Sequence, residues 1–225
     1  MTRPGASPEP GELLASGREA DVFALGDGRV LRRYRSASAH DSADEAAVMA
    51  YAGSRGFPVP AVHAAEGTDM VMERLDGSTM AQAALAGRMS ATEAAEMLAD
   101  LMRRLHEVPA RDGEGSIIHL DLHPDNVVLT ARGPVVIDWR NARDGDADLD
   151  TALTALILAQ VAIGSIAHPL GPQAGTVLER FLRMAPGEPL RMLDEALKLR
   201  AGQLTMAPDE IAMLPAAAAR VRGEG

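Results

Sequence analysis

The strongest constraint on the fold is a change of periodicity at Leu75-Asp76-Gly77-Ser78. Before it, apolar residues come in short pieces broken by Gly, Pro and Asp. Leu13-Leu14-Ala15, Asp21 to Leu25 and Arg29 to Tyr34 read as strands, the last two joined by the Asp27-Gly28 hairpin signal. Asp41 to Ser54 reads as a helix with Val48, Met49 and Ala52 as its apolar positions, and Pro58 and Pro60 forbid its continuation. Ala61 to Ala65 and Asp69 to Glu73 follow as strands around Glu66-Gly67. After the boundary, helical spacing takes over. Ser90-x-x-Glu93 is a capping box, and Ala94, Met97, Leu98, Leu101 and Leu105 recur behind it in a helix expected to end near Val108-Pro109. Val127 to Leu129 and Val135 to Ile137 are short strands around Gly133-Pro134. Helical patterns run over 151–164, 173–184, 189–201 and 208–221. These readings predict an α+β chain: a flexible tail over 1–10, a small β-rich lobe over 11–75 and a mostly helical lobe over 76–225.

Composition narrows the function. Of the 225 residues 47% are hydrophobic, enough for a core, but only 3% are aromatic, so aliphatic side chains and Met must fill it. The net charge is −10 with no basic tract, which argues against nucleic acid and against an anionic membrane surface as partners. There is no Cys, so disulfides, thiolate nucleophiles and Cys zinc sites are excluded. Met1 to Gly11 lacks the apolar core of a signal peptide. The most apolar run, Ala152 to Ala167, is too short to span a bilayer and reads as a buried helix. A soluble, cytoplasmic protein is the expectation. Of the 22 basic residues only Lys198 is lysine, so other tasks usual for lysine fall to arginine.

The densest polar stretch is His119-Leu-Asp121-Leu-His123-Pro-Asp125-Asn126-Val-Val-Leu129, followed by Val135-Val-Ile-Asp138-Trp139. Apolar strands hold a loop rigid, and the loop presents its acids. Mg²⁺ prefers carboxylate and amide oxygens, few of them from protein, with phosphates supplying more. Asn126 and Asp138 suit that role, and Asp121 is then left to accept a hydroxyl proton. These are the parts that phosphoryl transfer requires. A zinc site on His119, Asp121 and His123 would leave Pro124 and Asn126 unexplained. Asp144-Gly-Asp146-Ala-Asp148-Leu-Asp150 is no calcium loop, because Leu149 and Ala155 stand where Gly and a bidentate Glu are needed. The run reads instead as acids capping the helix that follows.

His119-x-Asp121-x-x-x-x-Asn126 with Ile137-Asp138-Trp139 resembles the small-molecule kinases of the aminoglycoside phosphotransferase and choline kinase group. The resemblance covers about residues 12–165 and includes His123-Pro124 and Asp-Trp in place of Asp-Phe-Gly. It implies a bilobal protein-kinase-like fold with ATP between the lobes, Mg²⁺, and a small-molecule hydroxyl acceptor. Asp121 would be the catalytic base, Asn126 and Asp138 the Mg²⁺ ligands, and His119 a structural brace. Either Asp148 or Asp150 would brace the catalytic loop. Gly17 is the one glycine of the loop Ser16 to Phe23, where the family covers the phosphates. Glu45 stands where an ion-pairing Glu is expected, with Asp44 as its competitor. Val30-Leu31-Arg32-Arg33 replaces the family's Val-x-Lys. Val30 would lie over the adenine and Arg32 would face the phosphates, with Arg33 in reserve. The adenine would meet the backbone of Glu73 and Leu75, with Met72 behind it. The alternative function is a pseudokinase, motivated by Arg32 and the sparse glycine loop. Oligomeric state is not readable from the sequence.

Overall fold

The computed structural model of the protein describes residues 8–17, 19–36, 42–203 and 206–224. Residues 1–7 of the expected tail, Arg18 and Asp41 lie outside the described residues. The chain divides into two compact units, one reaching to Asp76 and the other starting at Gly77.

In the first unit, β1 (Leu13–Ser16), β2 (Ala20–Leu25) and β3 (Arg29–Tyr34) form an antiparallel meander. Asp27 and Gly28 both take positive φ, 59° and 67°, as the primed two-residue turn of a right-twisted hairpin requires. Helix α1 (Ser42–Ser54) follows, then β4 (Val62–Glu66) and β5 (Asp69–Glu73), and the sheet order is β1-β2-β3-β5-β4. Strand β3 therefore sits at the centre, between β2 and β5. Helix α1 buries Ser42, Glu45, Val48, Met49 and Ala52, so an acid lies on its inward stripe. Asp69 ties the sheet together: its carboxylate accepts two bonds from Arg33, each 2.7 Å, and its carbonyl accepts the Ser42 hydroxyl at 3.0 Å.

The second unit holds a three-stranded sheet of β6 (Gly77–Thr79), β8 (Val127–Thr130) and β9 (Gly133–Val136), in the order β6-β8-β9. Between β6 and β8 run α2 (Met80–Leu85), α3 (Ala91–His106) and the short strand β7 (Ser116–Ile118). β7 pairs with β10 (Arg143–Gly145). Then come α4 (Ala147–Ala162), α5 (Gly171–Met184), α6 (Leu193–Ala201), α7 (Pro208–Ala212) and α8 (Leu214–Arg222). Ser90 and Glu93 form the expected capping box, and α3 stops at His106, two residues short of Val108.

Helix α4 is the axis of this unit. Every residue from Leu149 to Gln160 is buried, and α5, α6, α8 and β7 pack on it. A helix apolar all round has to be enclosed in this way. It begins four residues earlier than the 151–164 pattern because the Asp146 side chain caps it, accepting from the Asp148 N–H at 2.9 Å. The 189–201 pattern opens with a 3-10 turn over Pro189–Met192. The 208–221 pattern is two helices, since Pro215 has no N–H to continue the ladder from α7. Strands β6, β7 and β10 and helix α2 are too short to impose a period. No helix among the described residues is long and apolar enough to cross a membrane.

Leu156, fully buried in α4, should cost about 2–5 kcal/mol when cut to Ala, whereas Leu85→Ala, at a 48% exposed position, should stay within about 0.5 kcal/mol. Urea unfolding of both variants checks the difference.

Candidate active site

The catalytic-loop candidates are built around one buried carboxylate. Asp150, in the first turn of α4, is wholly enclosed. It accepts the backbone N–H of His119 at 3.0 Å and of Leu120 at 2.7 Å, and His106 Nε2 lies 3.0 Å away. Leu120 has φ 64°, a left-handed conformation that a branched side chain rarely adopts. The paired N–H bonds hold that turn and aim the next residue, Asp121. Of the two acids that could brace the loop, Asp150 does so. Asp148 instead accepts Arg191 Nε at 2.7 Å and the Glu188 N–H at 2.8 Å.

His119 is fully buried beneath the loop. Its Nε2 donates to the Ile137 carbonyl at 3.1 Å, and its Nδ1 accepts the Asp121 N–H at 3.3 Å. Both ring nitrogens are used, so no lone pair remains for zinc. Its ring meets buried Trp139 edge-on with centroids 5.1 Å apart, and the Trp139 indole N–H donates to the Val136 carbonyl at 2.9 Å.

Asn126 Nδ2 donates to the Asp121 carbonyl at 2.9 Å and to its carboxylate at 3.2 Å. This leaves the amide oxygen facing away from those partners. The Ile137 N–H donates to the Asn126 carbonyl at 2.9 Å, which brings the start of the Asp138 loop beside Asn126. Asp138 also takes a left-handed φ of 64°. Such strain in a non-glycine residue costs about 1–3 kcal/mol and concentrates at functional sites. An amide oxygen and a carboxylate are hard donors and fit Mg²⁺. Among the described residues no group of three or more His, Asp or Glu could hold a metal. An ion held here would take its other ligands from phosphate and water, as Mg²⁺ commonly does.

The electrostatics favour an ionised Asp121. Burial alone would raise its pKa, but the neighbouring His123 imidazole and the charges of His119 and Arg200 outweigh this and hold it below the usual range. Burial likewise pulls His123 down, yet Asp121 and Asp125 push it up to about 9. Arg200 on α6 lies 3.8 Å from the Asp121 carboxylate; it also donates from Nε to Gln160 at 3.0 Å and from Nη1 to Gln203 at 2.6 Å. Sequence reasoning passed over it, because a lone arginine in an amphipathic helix reads as a solvated one.

The nucleotide-binding candidates belong to the first unit. Arg32 Nη1 donates to Glu45 Oε1 at 2.8 Å, and its guanidinium lies 4.8 Å from the centre of the Tyr34 ring. The Tyr34 hydroxyl donates to the other Glu45 oxygen. Glu45, not Asp44, is thus the buried acid paired with the strand arginine. Arg33 bonds the Asp69 carboxylate through Nε and Nη2. Val30 is buried and shares a strand face with Arg32. The Gly17 N–H donates to the Ala20 carbonyl at 2.9 Å, and a Cβ at Gly17 would sit 3.4 Å from that oxygen, an ordinary contact. Among the described residues nothing demands glycine there. The Glu73 N–H is taken by the Ala61 carbonyl at 2.8 Å and so is not offered to an adenine. Leu75 is half-buried.

Burial alone would raise the Asp150 pKa, but the His106 hydrogen bond and charge and the His119 N–H overcome it and lower the value. A depressed carboxylate stabilises the fold fully above its unfolded pKa of about 3.9, and that contribution fades as pH falls through the folded value. Asp150→Asn should therefore be less stable than the parent at pH 7, by about 1–3 kcal/mol, with the gap narrowing as pH falls below about 4. Urea unfolding across that range measures it.

A family model described as the phosphotransferase enzyme family matches residues 11–116 and 93–184. Among solved structures, an amicoumacin kinase in complex with AMP-PNP, Ca2+ and Ami is similar at a TM-score of 0.56 and 12% identity, over 97% of this chain and 89% of that one. The gentamicin complex of APH(2")-IIa gives a TM-score of 0.56 at 13% identity, over 94% and 91%. Similarity to curated proteins is local: thiamine kinase of Salmonella paratyphi B is 51% identical over 35 residues, 16% of this chain and only 13% of that protein's length. The structural likenesses show an α+β, protein-kinase-like fold, with an antiparallel sheet first and helices after. The family match spans well over half of the residues, and the chain belongs to the phosphotransferase enzyme family.

Proposed function

We propose that the protein is an ATP-dependent O-phosphotransferase that moves the γ-phosphoryl group to a hydroxyl of a small molecule. The observation that carries this reading is the Asp121–Asn126 pair. The amide nitrogen of Asn126 is spent on orienting Asp121 inside a loop strapped by Asp150, which leaves a carboxylate and an amide oxygen for proton and metal. Similar structures, an amicoumacin kinase with AMP-PNP and Ca2+ and a streptomycin–ATP complex of APH(2")-IIa, support nucleotide and divalent metal as partners. The short thiamine kinase match supports a small alcohol as acceptor.

In this mechanism the acceptor hydroxyl donates to the Asp121 carboxylate. Asp121 takes the proton as the acceptor oxygen bonds to the γ-phosphorus. The bond from that phosphorus to the bridging oxygen breaks, and ADP leaves with the electron pair. Mg²⁺ held by Asn126 and Asp138 would neutralise phosphate charge. Arg32 would contact the α- and β-phosphates in the role usually given to lysine. Its guanidinium has five N–H donors, so the bond to Glu45 does not exhaust it. Arginine is bulkier than lysine and can grip phosphate through two donors at once. Val30 and the backbone at Glu73 and Leu75 would receive the adenine, with Gly17 in the loop over the phosphates.

Positioned base catalysis contributes about 10²–10⁴-fold. Asp121→Asn should lose at least about 100-fold in turnover while ATP affinity holds within a few-fold, read by ADP release with thiamine, gentamicin and simple alcohols as acceptors. Undiminished turnover in that variant would remove Asp121 as base. Calorimetry should show Mg²⁺-dependent ATP binding, weakened at least about tenfold by Arg32→Ala and made metal-independent by Asp138→Asn. Binding of ATP with no ADP release from any acceptor would favour a nucleotide-binding pseudokinase instead.

A further inference from the structure

The second unit contains a cavity beside the candidate base. Its volume is about 50 Å³, and it opens to solvent on one side. Ile157 and Val161 of α4, Ala174 and Val177 of α5, Ala84 of α2 and Ala94 of α3 contribute to its wall. All but Val161 are buried. The alanines matter as much as the branched residues, because they leave the room that larger side chains would fill.

The polar groups of the wall are concentrated at one end. His123 and Asp125 belong to the turn that follows Asp121, and His168 Nε2 pairs with Asp125 at 3.3 Å. Gln173 is exposed at the edge. His123 Nε2 stands 3.7 Å from the Asp121 carboxylate, so one imidazole separates the cavity from the candidate base. Asp125 is the only carboxylate in the wall, and it already faces two histidines, His123 Nδ1 at 3.6 Å and His168. A ligand here would meet hydrocarbon along its body and polar groups only near Asp121.

We propose that the cavity binds an amphiphilic alcohol, a molecule with an apolar body and its hydroxyl at one end, in preference to a polycationic sugar. Several ammonium groups would need several acids, and burying them against Ile157 and Val161 would strip their hydration without replacing it. An apolar body loses nothing in the same place and gains the burial of its surface. Calling this ligand the acceptor rests on the phosphotransfer reading. Its binding does not.

Saturation-transfer NMR on the full chain, with 2-phenylethanol and n-octanol as probes and gentamicin as the polycationic comparison, tests the inference. Both alcohols should bind at least tenfold more tightly than gentamicin. Val161→Trp and Ala174→Phe, each checked for folding by circular dichroism and thermal melting, should weaken the alcohols at least tenfold. Gentamicin binding as tightly as the alcohols, or alcohols unaffected in a folded cavity-filling variant, would overturn it. Should both variants fail to fold, competition on the parent chain decides: mutual displacement of the two alcohols supports one shared cavity, and independent saturation overturns it. Magnesium-ATP titration of the same parent sample separates the two readings. Alcohol binding without ATP binding keeps the cavity and removes the kinase, while ATP binding with gentamicin preferred keeps the kinase and removes this ligand class.

Discussion

The Asp150 carboxylate is the interaction on which the candidate site depends. It sits in the first turn of a helix enclosed on all sides, so its position is set by the core of the second unit. From there it holds two consecutive backbone N–H groups that the left-handed turn at Leu120 would otherwise leave buried without acceptors. The loop cannot relax to an ordinary conformation without breaking those bonds. Asp121 thus inherits the rigidity of α4. The same helix reaches the loop again through Thr154, whose hydroxyl donates to the Leu122 carbonyl at 2.8 Å. Two side chains of one buried rod bracket the candidate base on both sides in sequence.

What could be read in the sequence follows from how local each signal is. The capping box at Ser90 and Glu93 is complete within four residues and was readable; Thr79 and Gln82 form a second one ahead of α2, a signal present but easily passed over beside so short a helix. The polar loop from His119 to Asn126 announced itself because its residue types and spacing are already the chemistry. Asp148 and Asp150 could not be told apart, since two residues along a helix are turned by about 200° and only packing says which direction faces the loop. Arg200 was invisible for a stronger reason. Its partner Gln160 is forty residues away, and its burial exists only once α6 has docked on α4.

Strand β3 carries two adjacent arginines and gives each its own partner. Alternation sends Arg32 and Arg33 to opposite faces, and each finds an acid: Glu45 on α1 for one, Asp69 on β5 for the other. Tyr34 closes the first pair by bonding the second Glu45 oxygen and offering its ring to the guanidinium. A planar delocalised cation suits such stacking better than an ammonium does. Tyr34 and Arg32 read as a matched set, in which the arginine is held by Glu45 and Tyr34 before any ligand arrives.

Arginine at position 32 also sets how the protein answers covalent reagents. A guanidinium stays protonated at any physiological pH and is a poor nucleophile, whereas the strand lysine of kinase-like folds can be acylated. Here the one lysine of the chain is Lys198, three-quarters exposed on α6 and paired loosely with Glu195 at 3.3 Å. Amine-directed acyl-phosphate nucleotides, which tag an ATP site through its lysine, would leave no mark on β3. A survey of nucleotide-binding proteins made with such reagents would pass over this chain, however well it held the nucleotide.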